Sequence, residues 1–430
     1  MTVGPTTGLA GAGAGRAAVW RAAVPAAWLL AFAVTRLVPL LLTLDPSLYG
    51  TGVSDPTGDL GRYAGWAELV VAEGLAPYRD VDIEYPPGSL PFVLLPALLA
   101  QAQFSRAIFV GLMIGVDLAA FVALLVLGRR TGSRWGAVTW LVLPPLLGVV
   151  LYARLDLVPA AAVLLGLERA HARRWAVSGV WFGLGTAAKL FPGLLLPLAL
   201  IAAAGRRVRL VAGAAIGGAV AWLPFAGDTG DLITDVFGYH SARGIHLESI
   251  WGAVLNLRRI EGGPVELVFD YGAFHIVGPG SDLMLRATTA LSVALVALFV
   301  AAAWARWWRR PELAPTELPL AATALISLLL GTGRVFSPQF VVWLLAAAAV
   351  AFAVQPRAAV WAWPLLALIV VLTAVGYPLG FDLLRDGHLW PAVILLVRNL
   401  AVIVLGGALL VRWLRSPLMP ATAGAPAARR

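Results

Sequence analysis

Long apolar runs separated by short connections dominate the chain. They predict helices at 22–43, 104–127, 136–152, 156–168, 174–187, 190–204, 208–225, 284–305, 316–332, 337–354, 358–376 and 390–411. About 20 apolar residues are needed to cross a bilayer as a helix. Two stretches fall short of that. Residues 136–168 and 174–204 each have to cross twice, with helices of only about 13 to 17 residues. A single long helix in either place would put the arginine clusters on the wrong side, so the pattern predicts two short hairpins beneath a thinned or indented face. Their tips read Y-A-R-L-D, with Arg154 and Asp156, and A-A-K-L-F-P, with Lys189. Ionisable groups at membrane depth face protein or a water-filled cavity. A polar cavity opening at that face is therefore expected.

Two connections are long, 44–103 and 226–283. In the first, D-L-G-R-Y-A-G-W-A-E-L-V-V-A-E-G places Leu60, Tyr63, Ala67, Val70 and Val71 on one helical face, and Gly74 ends the pattern. This predicts an amphipathic helix lying in the membrane interface, with Tyr63 and Trp66 at headgroup level and Asp59 at or near the N-cap. Next comes P-Y-R-D-V-D-I-E-Y-P-P-G, with Asp80, Asp82 and Glu84, followed by an apolar stretch at 90–100 too short to span. The second long connection carries His240, Arg243, His246 and Glu248 close together.

Composition supports the membrane reading. Sixty per cent of residues are hydrophobic, the mean hydropathy is +0.85 and 13% are charged, against about 25% charged in soluble proteins. A net charge of +9 might suggest nucleic acid as a partner, but the arginines sit in short clusters between apolar runs. One set of connections holds Arg129, Arg130, Arg134, Arg169, Arg173, Arg174, Arg206, Arg207, Arg209, Arg306, Arg309, Arg310, Arg357, Arg412 and Arg415. The positive-inside rule makes this the cytoplasmic face, with both termini inside. The opposite connections hold 19 of the 23 acids. The reading is thus an all-α polytopic membrane protein of about twelve transmembrane helices. Its parts are a disordered cytoplasmic segment 1–20, a membrane domain 21–415 with an uncleaved first helix, and a disordered cytoplasmic tail 416–430. The chain has no cysteine, which excludes disulfides and thiolate chemistry, and Lys189 is its one lysine.

At the first long connection the sequence resembles actinobacterial membrane proteins of glycosyltransferase family 87. The likeness rests on D-L-G-R-Y-A-G-W and G-L-A-P-Y-R-D-V-D-I-E-Y-P-P-G. It continues through A-R-L-D-L-V-P-A, A-A-K-L-F-P, Y-H-S-A-R-G-I-H-L-E-S and F-S-P-Q-F-V-V-W-L. The resemblance implies a GT-C-like fold in a bacterial inner (plasma) membrane. It also implies an inverting transferase moving a sugar, with mannose the expected one, from polyprenyl phosphate to a glycolipid or polysaccharide acceptor at the extracytoplasmic face. On that pattern Asp59, with Tyr63 four residues on, takes the base role, and Asp55 is the second candidate. No cofactor or metal is expected.

Such a transfer needs a base within reach of the acceptor hydroxyl and cations beside the leaving phosphate. Lys189, Arg154, His240, Arg243 and Arg334 are the candidate phosphate contacts. Tyr63, Glu84, Asp156, His246, Glu248 and Gln339 are candidates for acceptor or sugar contacts, or for structural roles. Each has a blander reading. Asp59 could cap its helix, Glu84 could fix the Tyr-Pro-Pro turn, and Lys189 could pair with Asp156. Arg154 and Asp156 could pair with each other, Arg334 could anchor at the interface, and the His240–Glu248 cluster could be ordinary loop polarity. The spacing of His240 and Glu248 matches no common zinc pattern. Asp117, in mid-helix, has to be protonated or paired. Competing classes are a transporter or flippase, which would be expected to show internal repeats that this chain lacks, and an inactive scaffold.

Overall fold

The computed structural model describes residues 26–50, 53–228, 230, 233–238 and 243–416; His240 and most of both expected tails lie outside the described residues. The helices in chain order are α1 (Ala26–Leu44), α2 (Gly58–Ala67), α3 (Leu90–Leu98), α4 (Arg106–Thr131), α5 (Trp135–Val142), α6 (Leu157–His171), α7 (Trp175–Ala188), α8 (Leu196–Ala202), α9 (Arg207–Trp222), α10 (Ile250–Ile260), α11 (Ser281–Arg309), α12 (Ala314–Thr332), α13 (Val341–Val354), α14 (Pro356–Ala374), α15 (Phe381–Arg385) and α16 (Leu389–Arg415). Three strands, β1 (Ile245–His246), β2 (Glu266–Asp270) and β3 (Ala273–Val277), lie in the second long connection. The described residues are 78% helical, the architecture of a helical membrane protein.

Among the described residues, seven helices are long and apolar enough to cross a membrane: Ala26–Leu44, Arg106–Thr131, Ala204–Phe225, Ser281–Arg309, Ala314–Thr332, Val360–Leu379 and Leu389–Arg415. The other five expected crossings coincide with shorter helical stretches. The one starting at α5 continues as a 3₁₀ turn over Pro144–Leu151, broken at Gly148 with φ +58°. At 1.5 Å per residue, α6 and α7 extend only ~22 Å, less than the ~30 Å hydrocarbon core. α13 is apolar all round and buried along almost its whole length, the signature of a central helix.

The short helices are held by close backbone approach. Gly179 and Gly183 on α7 face Gly213 and Gly217 on α9, and a Cβ at any of the four would run into the backbone of the opposite helix. Small residues four apart on both partners let helices pack at this distance in lipid. Two acids inside the bundle are paired. Asp117 accepts from Arg36 Nε at 2.9 Å, from Trp140 Nε1 at 2.7 Å and from the Tyr152 hydroxyl at 2.7 Å, which fulfils the requirement that it be compensated. At the arginine-rich ends, Glu317 accepts from Arg306, Trp307 and Trp413.

Two details differ from the sequence reading. Tyr63 and Trp66 are buried in an aromatic cluster with Tyr85 and Phe109 rather than set at headgroup level. The α2 face that carries them packs on α3, which covers it with protein instead of lipid. Asp59 does stand near the N-cap, in the first turn two residues after the cap Thr57. Finally, the second long connection contains an antiparallel sheet of order β1-β3-β2. Its hairpin turns at Tyr271 (φ +49°) and Gly272 (φ +65°), the two positive φ values that a tight two-residue hairpin turn needs.

Candidate active site

The two hairpin tips and both long connections converge on one cavity of about 570 Å³. α2 brings Asp59, and its neighbours Asp55 and Arg62 also line the space. Asp59 Oδ2 lies 3.0 Å from Arg154 Nη1 on the first tip. Asp55 is committed locally: its Oδ1 accepts from the Thr57 amide at 2.8 Å and from the Thr57 hydroxyl at 2.6 Å. Arg154 and Asp156 therefore do not pair with each other. Asp156 instead holds Lys189 of the second tip, Oδ1 to Nζ 2.9 Å, with both side chains buried. The Lys189 ammonium also lies 5.0 Å from the ring of Tyr85, 5.1 Å from Phe340 and 5.4 Å from Trp343. Such distances suit cation–π attraction.

The E-Y-P-P-G segment has a positioning part in this arrangement. Glu84 pairs with Arg62 at 2.7 Å, and Tyr85 covers Lys189. Gly88 packs so closely on the end of α7 that a Cβ would lie 2.6 Å from the Ala187 carbonyl carbon. Beside Lys189, Phe340 and Phe191 stack on the two sides of Trp343, at 4.0 and 3.9 Å between centroids. Leu190 and Leu194 continue this apolar lining, and Leu194 is 47% exposed.

Arg243, His246 and Glu248 line the cavity from the second connection, and Gln339 lines it ahead of α13. Glu248 is buried; burial raises its carboxyl from 4.5 to about 7, and Arg398 and Arg154 act in the opposite direction. Arg398 Nη2 donates to the Glu248 carbonyl at 2.6 Å, whereas its guanidinium stands 3.8 Å from the carboxylate. Burial, and then Arg243 and His275, hold His246 well below its ordinary value. Arg334 does not line this cavity; it borders a separate one with Leu285, Arg286, Thr289 and Ala290, near enough to Arg243 for the two cations to repel. Tyr63 does not line the cavity; it backs α2 from the core.

Several lining residues were not singled out from the sequence. Tyr377, in the turn Val375–Leu379 after α14, accepts from Arg154 Nη2 at 2.9 Å and donates to the Pro56 carbonyl at 3.2 Å, tying that turn to the first long connection. Arg62 and the hairpin residues Phe269, Tyr271 and Phe274 are others. Arg398 in mid-helix was detectable by the same depth rule that marked Asp117. Among the described residues no group of three or more His, Asp or Glu is gathered as metal ligands would be.

Fold and cavity define a helical membrane protein with a recessed, charge-lined site large enough for a small organic substrate. The family model for glycosyltransferase family 87 matches residues 84–338, more than half of the chain, and the chain belongs to that family. It is a membrane glycosyltransferase. The match covers Glu84, Arg154, Asp156, Lys189, Arg243, His246, Glu248 and Arg334, but not Asp55, Asp59, Tyr63 or Gln339. Comparison with curated proteins gives no match.

Proposed function

We propose that the chain is an inverting transferase that takes a sugar, mannose in the first instance, from a polyprenyl-phosphate donor. It passes the sugar to a glycolipid or polysaccharide acceptor at the extracytoplasmic face of a bacterial plasma membrane. The chain would cross that membrane twelve times with both termini inside and would use no cofactor. One observation carries the reading: the Asp59–Arg154 pair and Lys189, which Asp156 holds from behind, line one cavity, with a stacked apolar lining that continues to the exposed Leu194. A lipid phosphate needs both parts, cations for the head and an apolar exit for the chain.

In this mechanism the donor phosphate competes with Asp59 for the Arg154 guanidinium. Asp59 is then free to accept the proton of an acceptor hydroxyl as its oxygen attacks the anomeric carbon from the face opposite the phosphate. The bond from that carbon to the phosphate oxygen breaks, and the electron pair leaves with the phosphate. Lys189, Arg154 and Arg243 stabilise the charge that develops there. Asp55, already accepting two hydrogen bonds from Thr57, is the weaker base candidate. Family membership leaves a transporter without an observation in its favour.

Transfer of radiolabelled sugar from polyprenyl-phosphate mannose, with the purified chain in liposomes, tests this reading. Asp59→Asn should lower turnover by roughly 10²–10⁴-fold, Asp55→Asn should keep most activity, and Lys189→Ala should lose most of it. An active Asp59→Asn protein removes the base assignment. Wild type that is inert with mannose, glucose and arabinose donors removes the donor class.

A further inference from the structure

A second run of aromatic rings lines the cavity, separate from the Phe191–Trp343–Phe340 stack beside Lys189. It starts on the β2–β3 hairpin with Phe269, continues to Phe274 at 5.0 Å between centroids, to Phe381 at 6.0 Å and to Tyr377 at 5.3 Å. Tyr377 touches Arg154, the partner of Asp59. The run thus leads from the rim of the cavity to the base.

Strand periodicity explains how the hairpin presents these rings. Leu267 and Phe269 share one face of β2, and the register sets them opposite Ile276 and Phe274. Leu267 and Ile276 anchor that face in a small apolar core with Ile245, Leu247, Leu255 and Val265. One step outward, the same face turns into the cavity, and Phe269 is left 64% exposed there. At the tip, Gly272 comes so close to Arg62 that a Cβ would collide with the guanidinium. The tip therefore rests on the Arg62–Glu84 pair, whose side chains remain partly accessible.

An exposed aromatic face beside an accessible ion pair suits one kind of ligand. A pyranose ring offers a face of C–H bonds to the electron-rich face of an aromatic ring. Its hydroxyls, at the edge, suit a carboxylate and a guanidinium. A lipid tail would gain nothing from the ion pair. We propose that the β2–β3 hairpin is the acceptor platform and that the acceptor presents a saccharide. A sugar of the acceptor stacks on Phe269 and Tyr271, and its hydroxyls bind Arg62 and Glu84. The proposal rests on the transferase reading for the direction of attack, but not for the binding itself.

Saturation-transfer NMR on the full chain in nanodiscs tests binding apart from catalysis. The probes are the methyl α-glycosides of mannose, glucose and galactose, with sorbitol as an open-chain control. Ring C–H protons of at least one glycoside should receive saturation, and sorbitol should not. Replacing both aromatics, Phe269→Leu with Tyr271→Leu, should weaken that binding roughly tenfold, while Phe269→Trp keeps it. Binding of decaprenyl phosphate to the same samples, measured by native mass spectrometry, should be unchanged in the double variant. Three results would overturn the proposal: no glycoside contact in wild type, equal affinity in the double variant, or loss of decaprenyl phosphate binding along with the sugar. Failure of the donor reading looks different, with no decaprenyl phosphate bound by wild type while the glycosides still respond to the hairpin substitutions.

Discussion

Glu248 shows how environment separates two carboxylates that line one cavity. Asp59 has a guanidinium at 3.0 Å, whereas Glu248 is buried with Arg398 at 3.8 Å and no hydrogen bond to its Oε1 among the described residues. Its charged form is penalised, and a stability signature follows. Below its ordinary value of 4.5 the group is protonated in both folded and unfolded chains. Between 4.5 and about 7 only the folded chain retains the proton. Stability therefore falls as pH rises through that window. Glu248→Gln should flatten this slope in melting curves of the detergent-purified protein; curves as steep as wild type would show that Glu248 is not the titrating group. Lys189 makes a second point at this scale. Its compact ammonium is packed among Asp156, Tyr85, Phe340 and Trp343, a space that a planar guanidinium does not match. Lys189→Arg should accordingly lose most transfer activity despite keeping the charge.

At the level of helices and strands, the glycine seam between α7 and α9 positions this lysine, because Lys189 directly follows the last residue of α7. Gly183→Ala would drive a methyl into the Ala214 backbone. Overpacking of this kind costs about 1–3 kcal/mol, so the variant should melt at a lower temperature than wild type. Gly218→Ala, one residue along α9 and facing open space, is the control that should not. Equal melting of the two variants would count against a tight seam. The helices themselves were legible in the sequence because apolar runs and arginine-bearing connections mark them directly. Arg154 and Lys189 were legible because charge is conspicuous beside such runs, and Asp59 through the family resemblance of its D-L-G-R-Y segment. The seam was written there too, as two glycine pairs four apart, but choosing their partner helix requires the fold. The hairpin was overlooked although D-Y-G between alternating residues is a turn signal. Tyr377 gave no signal, since a tyrosine near a helix end reads equally well as an interface residue.

For the molecule as a whole, the arginine asymmetry along the chain predicts which side of the membrane holds the cavity. The absence of cysteine makes this directly measurable. With single replacements, Glu261→Cys should react with a membrane-impermeant maleimide in intact cells, and Arg206→Cys only after lysis. The reverse pattern would put the cavity on the cytoplasmic side and remove the polarity argued above. The single lysine has an equally practical side. The chain carries one ε-amine, it lines the cavity, and it is mostly covered. An acylating reagent small enough to enter would therefore mark that cavity and no other side chain amine. Protection against the reagent, read as one mass increment on one peptide, would report occupancy of the site for any candidate donor before a reaction has been found.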